Sequence, residues 1–504
     1  MDQFSQAILT LVSILVVVSS ICYFKFLSKS AAKSPPGPWG VPILGYLPFI
    51  GADMLSKFSQ LASKYGEIYM LRLGNKLCVV INSPSLVKEV VRDQDNVFSN
   101  RSPPVAAFIG TYGAKDIAWS PNNSEWRALR KVFVREMLSN RSLELSYTLR
   151  KNEVRKAIQR VSKNGKAAVE ISLIAFQTEL NVITNLLWGE LLQGEDKEIF
   201  GKKFRAIIPK FVDLFGKTNI SDFYPFLAGL DIQGIKRQME SYRGIIDRIL
   251  NDIIEKHKKK LSEGVMEEGK KDFLQILLEL MEKDKDSISD TQLKALILDI
   301  VAGGTDTTAT TMEWAMAELM KNPMVMEKAQ KELSEVVGLD NIVEEHHLPK
   351  LKYLDAVVKE TLRLHPAIPL LVPRSPSQSS IVGGYTIPKD TMVFINAAYI
   401  QKDPRYWNSP LEFKPERFLD NGCDFSGNSF HYLPFGSGRR MCAGLPLAER
   451  MLMYFLASLV HSFDWKLPND QKLDMSEAFG MILRKSVPLV AIPNARLFDS
   501  NLYL

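Results

Sequence analysis

The chain has 504 residues, 46% hydrophobic and 24% charged, with 63 Lys and Arg against 57 Asp and Glu for a net charge of +6. The apolar fraction is ample for a large core, while the charge is too mild for a nucleic-acid-binding signature. The four cysteines (Cys22, Cys78, Cys423, Cys442) include no Cys-x-x-Cys pair and no disulfide framework, which fits a reducing compartment. The scattered histidines, with His346 and His347 adjacent, do not make a zinc site.

Ala7 to Phe24 is an uncharged run of 18 residues, long enough to span a bilayer as a helix. Lys25, Lys29 and Lys33 follow it and only Asp2 precedes it, so the positive-inside rule puts the downstream chain in the cytosol. The length of the run and the lack of a basic residue ahead of it speak against a cleaved signal peptide. Ser34-Pro35-Pro36-Gly37-Pro38-Trp39 then makes a stiff spacer that stops any helix leaving the membrane. The organisation expected is an anchor over 1–30, a Pro-rich hinge over 31–40 and one large domain over 41–504. The sequons at Asn122, Asn140 and Asn219 stay unmodified if that domain is cytosolic.

Beyond the hinge, strands are expected at Ile68–Leu73 and Leu77–Ile81 around a Gly74-Asn75 hairpin turn, and later at Thr391–Asn396 and Val487–Ile492. Helical spacing of apolar residues dominates elsewhere, as in Phe273–Met281, Ala295–Met320 and Leu445–Leu459. The fold class expected is therefore mainly α with small β-sheets. Lys256–Lys271 reads as a solvated helix end and loop.

Trp126 and Arg130 stand four apart on an expected helix. Leu293–Leu319 reads as one long apolar helix with an unusual middle, Ala302-Gly303-Gly304-Thr305-Asp306-Thr307-Thr308. Two glycines and several hydroxyl residues weaken a helix by roughly a kcal/mol or more. The Thr307 hydroxyl can bond the Gly303 carbonyl and open the ladder, and Asp306 beside it can relay protons. By itself the segment reads better as a helix-packing Gly-Gly with incidental threonines. Glu360 and Arg363 share a helix face, and Arg417 follows in Pro415-Glu416-Arg417-Phe418.

The last motif is Phe435-Gly436-Ser437-Gly438-Arg439-Arg440-Met441-Cys442-Ala443-Gly444. Its glycines allow tight turns and close approach to a flat ring. Phe435 can shield the sulfur, and Arg440 offers a planar cation to a carboxylate. The helix starting near Leu445 favours a thiolate at Cys442. Alone, the cysteine would read as structural.

Together these motifs, in this order, resemble the cytochrome P-450 superfamily of haem-thiolate monooxygenases, most closely its plant microsomal members. The resemblance runs from anchor to C-terminus. It implies haem b held through Cys442, with Phe435 beside the ring and Arg440, Arg130, Trp126, Arg101 and Arg374 seating the propionates. It implies Asp306 and Thr307 as the proton-delivering pair, and Glu360, Arg363 and Arg417 as a structural lock. The implied partners are an NADPH-dependent flavoprotein reductase docking on a basic face (Arg127, Lys131, Arg135, Arg439), membrane lipid, and a small lipophilic terpenoid- or phenylpropanoid-like substrate. No nucleic acid is expected. The apolar residues expected around the substrate are Phe108, Ile109, Ile368, Leu370, Leu371, Phe479 and Met481. The implied location is the endoplasmic reticulum membrane, single-pass, with the catalytic domain facing the cytosol. A haem-thiolate isomerase or dehydratase, which would not need NADPH, and a non-catalytic haem sensor are the competing readings. The intact Asp306-Thr307 pair counts against both.

Overall fold

A computed structural model describes Ser13 and residues 33–504 except 52, 166, 190, 192–193, 264–270, 285–286, 421 and 469–471; of residues 195–197 it describes only the backbone. The expected membrane anchor thus falls outside the described stretch. Among the described residues no helix is long and apolar enough to cross a membrane.

The chain divides into two compact units, each discontinuous in sequence: Met1–Ser102, Thr218–Ile232 and Leu370–Asn396 in the smaller, the remainder in the larger. The sequence carries no linker because the chain enters and leaves each unit more than once.

In the smaller unit Ile68–Leu73 and Lys76–Ile81 form an antiparallel hairpin in register Ile68↔Ile81, and Met392–Ile395 adds a parallel third strand. Gly74 turns the hairpin at φ 55°, the left-handed region that favours glycine. The end of the Pro-rich hinge lies on this sheet: Met70 N donates to Pro36 O at 2.8 Å, and a Cβ on Gly37 would sit 1.7 Å from the Met70 carbonyl oxygen. Glycine at 37 is thus a packing requirement. Asn219, 2% exposed, is too buried to accept a glycan in the folded protein.

The larger unit is helical. Its centre is the Asp290–Lys321 helix, started by a capping box in which Gln292 N donates to Ser289 Oγ (3.2 Å) and Ser289 N to Gln292 Oε1 (2.9 Å). Nearly every residue of its middle and C-terminal half is buried, against the helices Ile171–Trp188, Lys352–Leu364 and Leu445–Ser462. The helices Phe273–Lys283 and Leu445–Ser462 also stand where periodicity placed them. A small sheet pairs Val490–Ala495 with Val169–Glu170 and Phe463–Lys466. That strand begins later than expected, at Val490, and includes Pro493 opposite Trp465. The expected class, mainly α with small sheets, is the observed one.

Candidate active site

The cysteine loop is built by backbone geometry. Gly436 and Gly438 take φ 71° and 69°. Cys442 N donates to Phe435 O at 2.9 Å, and Ser437 Oγ to Gly427 O at 2.7 Å. Gln401 ties the loop to the helix before it: its Oε1 accepts from Leu433 N (2.7 Å) while its Nε2 donates to the Leu362 and Arg363 carbonyls (3.0 and 3.1 Å). Phe435 packs edge-on against Phe425, centroids 5.2 Å apart. In this loop Gly436, Ser437 and Arg440 are buried, yet Cys442 is accessible. Burial of the sulfur's surroundings pushes its pKa up. The Gly444 N–H, the Arg130 charge and the Leu445 N–H pull the other way and do not prevail. The helix-start N–H groups thus favour the thiolate in the expected direction without outweighing desolvation; a bound metal ion would complete the deprotonation, since coordination deprotonates a thiol.

Behind the loop lies the expected lock. Arg363 Nε and Nη2 grip Glu360 at 2.7 and 2.8 Å, and Arg417 Nε reaches Glu360 Oε1 at 3.0 Å. Arg363 Nη1 donates to the Gln401 and Pro410 carbonyls, and the Lys414 N–H to Glu360 Oε1. Glu360 and Arg363 are completely buried with each charge answered, the condition under which such a pair persists.

The expected propionate partners fall in both units. In the larger, Arg130 Nη2 donates to Met441 O at 2.6 Å, next to the cysteine. The Arg440 guanidinium lies 4.0 Å from the Trp126 ring centroid and donates to the Ile117 and Ser120 carbonyls. Trp126 gives its single indole N–H to Ile117 O at 3.0 Å, so a propionate bond from Trp126 would require that bond to be exchanged. In the smaller unit Arg101 Nη1 donates to the Val372 and Pro373 carbonyls, and Arg374 Nη1 lies 3.2 Å from Asp95. Arg127, Lys131, Arg135 and Arg439 are all exposed.

On the long helix the two glycines do different work. A Cβ on Gly304 would meet Ile183 Cδ1 at 2.4 Å, whereas one on Gly303 would meet nothing within 4 Å. Gly304 lets a neighbouring helix pack; Gly303 keeps an accessible patch in an otherwise buried helix. Thr307 Oγ1 donates to Gly303 O at 2.6 Å, as expected. Asp306 is buried, and Arg484 holds both its oxygens while reaching Asp213 at 2.5 Å with Nη1. Sequence reasoning missed Arg484. It also missed Gln401 and Asp299, although an acid inside the apolar run Leu298-Asp299-Ile300 was a signal. Of the expected apolar substrate residues, Phe108 is 53% exposed, while Ile109 and Met481 pack against the core of the larger unit. A Cβ on Gly216 would sit 2.4 Å from Met481 N, so the end of the Gly194–Gly216 helix touches the Phe479–Met481 turn.

These residues fit a haem. There is an accessible thiol in a buried loop, Arg130 beside it, Arg440 two positions away, and a helix patch without side chain at Gly303.

The family model described as cytochrome P450 matches residues 35–492. Geraniol 8-hydroxylase of Catharanthus roseus is 38% identical over 94% of this chain and 96% of its own length. Ferruginol synthase of Salvia miltiorrhiza is 37% identical over 96% and 98%. A solved zebra fish cytochrome P450 structure with progesterone superposes with a TM-score of 0.75 at 26% identity, over 88% of this chain and all of that one.

Proposed function

Because the chain belongs to the cytochrome P450 family, a family of haem-thiolate monooxygenases, we propose that it oxidises a small lipophilic, terpenoid- or phenylpropanoid-like metabolite with O2 and electrons from an NADPH-dependent flavoprotein reductase, at the endoplasmic reticulum membrane.

Cys442 is the side chain offered to iron. Haem, when bound, supplies the redox and oxygen-splitting chemistry. The observation that carries the monooxygenase reading is the Thr307–Gly303 bond beside a clasped Asp306. Thr307 holds a proton at Oγ1 on the accessible patch, and its bond to Gly303 O loosens the helix ladder there. Arg484 fixes the Asp306 carboxylate in one orientation and keeps it compatible with burial, so acid and alcohol stand in neighbouring positions on one rigid helix. Arg130 and Arg440 bring positive charge to the cysteine side, suited to binding carboxylates.

Membrane association is supported by exposed apolar residues in the smaller unit: Trp39, Ile43, Phe49, Phe226, Leu230 and Ile232 are 48–78% exposed. Tyr224 OH donates to Ile43 O at 3.1 Å, which brings the 43 and 224–226 segments together. Such a patch is unusual on a monomer that meets only water. The exposed Arg127, Lys131, Arg135 and Arg439 support docking of an acidic electron donor.

The test is oxygen labelling. Membranes holding the protein and a plant reductase are offered NADPH, 18O2 and a panel of monoterpenols, diterpenes and flavonoids. The expected product carries one 18O atom and forms only with NADPH. A product formed equally well without NADPH, with no label from O2, would contradict the proposal and favour an isomerase.

A further inference from the structure

Asp116–Ser120 is a junction inside the larger unit. Asp299 on the long helix holds it from one side, its Oδ2 accepting from the N–H groups of Ile117 (2.8 Å) and Ala118 (3.2 Å), while Asp116 Oδ1 accepts from Trp119 N (3.1 Å). Its carbonyls hold groups on the other side: Ile117 O receives Trp126 Nε1 (3.0 Å) and Arg440 Nη1 (3.2 Å), and Ser120 O receives Arg440 Nη2. The backbone just before it is strained, with Tyr112, Gly113 and Ala114 all in the left-handed region at φ 55°, 82° and 57°. A segment in that conformation needs tethers to stay in one place.

The two acids are hydrogen-bonded to each other, and Asp116 is 0% exposed. Asp299 is partly exposed, but contact with the fully buried Asp116 carboxyl still disfavours ionising both. Asp116 Oδ2 is buried, and no protein N–H or hydroxyl among the described residues reaches it. Asp299 Oδ2 already accepts two N–H groups, which leaves its Oδ1 for the contact. Burial raises both carboxyls, Asp116 to about 6 and Asp299 further, and the Asp116 charge adds to the rise at Asp299. The Arg440 charge favours the ionised form of Asp116. The Ile117 and Ala118 N–H groups favour an ionised Asp299 but do not offset its burial and the Asp116 charge, and the partnerless Asp116 Oδ2 is left to accept the proton between the two acids.

We propose that Asp299 is the protonated member of this pair, donating from Oδ1 to Asp116 Oδ2, and that the pair is the positioning device for the 117–120 backbone whose carbonyls hold Trp126 and Arg440, two residues of the haem-binding reading. The pair then carries one negative charge, set against Arg440. Asn at 299 reproduces both functions, its Nδ2 replacing the acid O–H and its Oδ1 accepting the two N–H groups, with no change of charge. Asn at 116 and 299 together removes the charge altogether.

Three measurements on the holoprotein test this, and the first two do not depend on the haem reading. Infrared difference spectra of wild type against Asp299→Asn are expected to contain the C=O stretch of a protonated carboxyl, shifted in D2O. Hydrogen exchange at the Ile117 and Ala118 amides is expected to stay slow in Asp299→Asn and to speed up at least tenfold in Asp299→Ala. The iron reduction potential is expected to be unchanged in Asp299→Asn and to move positive in Asp116→Asn/Asp299→Asn. The proposal is overturned if no protonated carboxyl band is lost, if Asp299→Ala leaves both amides protected, or if Asp299→Asn shifts the potential as far as the double variant. Should Asp299→Ala fail to fold, the infrared and potential arms on Asp299→Asn still decide.

Discussion

The two sides of the larger unit handle buried charge in opposite ways. On the cysteine side, Glu360, Arg363 and Arg417 are gripped by one another and by backbone groups, with both members of the Glu360–Arg363 pair completely buried. On the long-helix side, Asp306 depends on Arg484, an arginine it shares with Asp213, and the Thr307 hydroxyl lies on an accessible patch. One side is built to stay fixed, as the proposed ligand role of Cys442 requires. The other leaves a hydroxyl accessible beside a carboxylate that Arg484 holds, the arrangement proposed to deliver protons. The difference teaches that burial alone does not mark function; how many partners a buried charge has is more informative.

The largest effect is expected where the fixed side meets the chemistry. Cys442→Ser should abolish monooxygenase activity and the thiolate spectrum while the melting temperature of the protein matched for haem content changes little; full activity in that variant would sink the assignment. Next, Glu360→Gln leaves Arg363 and Arg417 short of their countercharge and should cost about 3–5 kcal/mol in denaturant unfolding. A loss near zero there would mean that the lock is ornamental and that the contrast between the two sides fails.

On the proton-handling side the expected signature is uncoupling, not unfolding. Thr307→Ala should keep its melting temperature and its NADPH consumption but lower product about 10²-fold, the electrons appearing as hydrogen peroxide. Unchanged product per NADPH would remove Thr307 from proton delivery.

Glu179, on the helix Ile171–Trp188, sharpens the comparison as a buried acid with no partner for its Oε1 among the described residues. Burial raises its pKa from 4.5 to about 8. The folded state therefore binds a proton that the unfolded state releases, so its contribution is fully present below pH 4.5 and is lost as pH rises toward about 8. Glu179→Gln should remove that loss, raising stability at pH 8 relative to wild type by an amount on the order of 1–3 kcal/mol and leaving it unchanged at pH 4. Unfolding curves at the two pH values check this; an equal effect at both would contradict the assigned protonation. The smallest effect separates the paired glycines: Gly304→Ala should cost about 1–3 kcal/mol through its clash with Ile183, while Gly303→Ala should be neutral or stabilising by up to about 1 kcal/mol. Equal thermal shifts would erase the distinction.

Much of this was legible in the sequence because the motif residues are close together along the chain. The cysteine loop, the Gly303–Thr307 bond and the Glu360–Arg363 pair each depend on neighbours within a few positions. The strands around Gly74-Asn75 and the long helix followed from turn chemistry and periodicity. What was not legible depends on partners far apart. Arg484 meets Asp306 across 178 positions, and Asp299 meets Ile117 across 182. Nothing in the residues beside Arg484 marks it. The favourable pull of the helix start on Cys442 was readable from sequence, whereas the opposing desolvation by the surrounding loop was not. The division into two units was hidden because interleaved segments need no linker.

The most direct test of the central claim is the carbon monoxide difference spectrum of the reduced protein in membranes, recorded beside Cys442→Ser. The expected result is a strongly red-shifted Soret band in the wild type that is absent from the variant. A wild-type protein that is well expressed and supplied with haem but lacks that band, or a variant that keeps it, would contradict iron ligation by Cys442 and the function built on it.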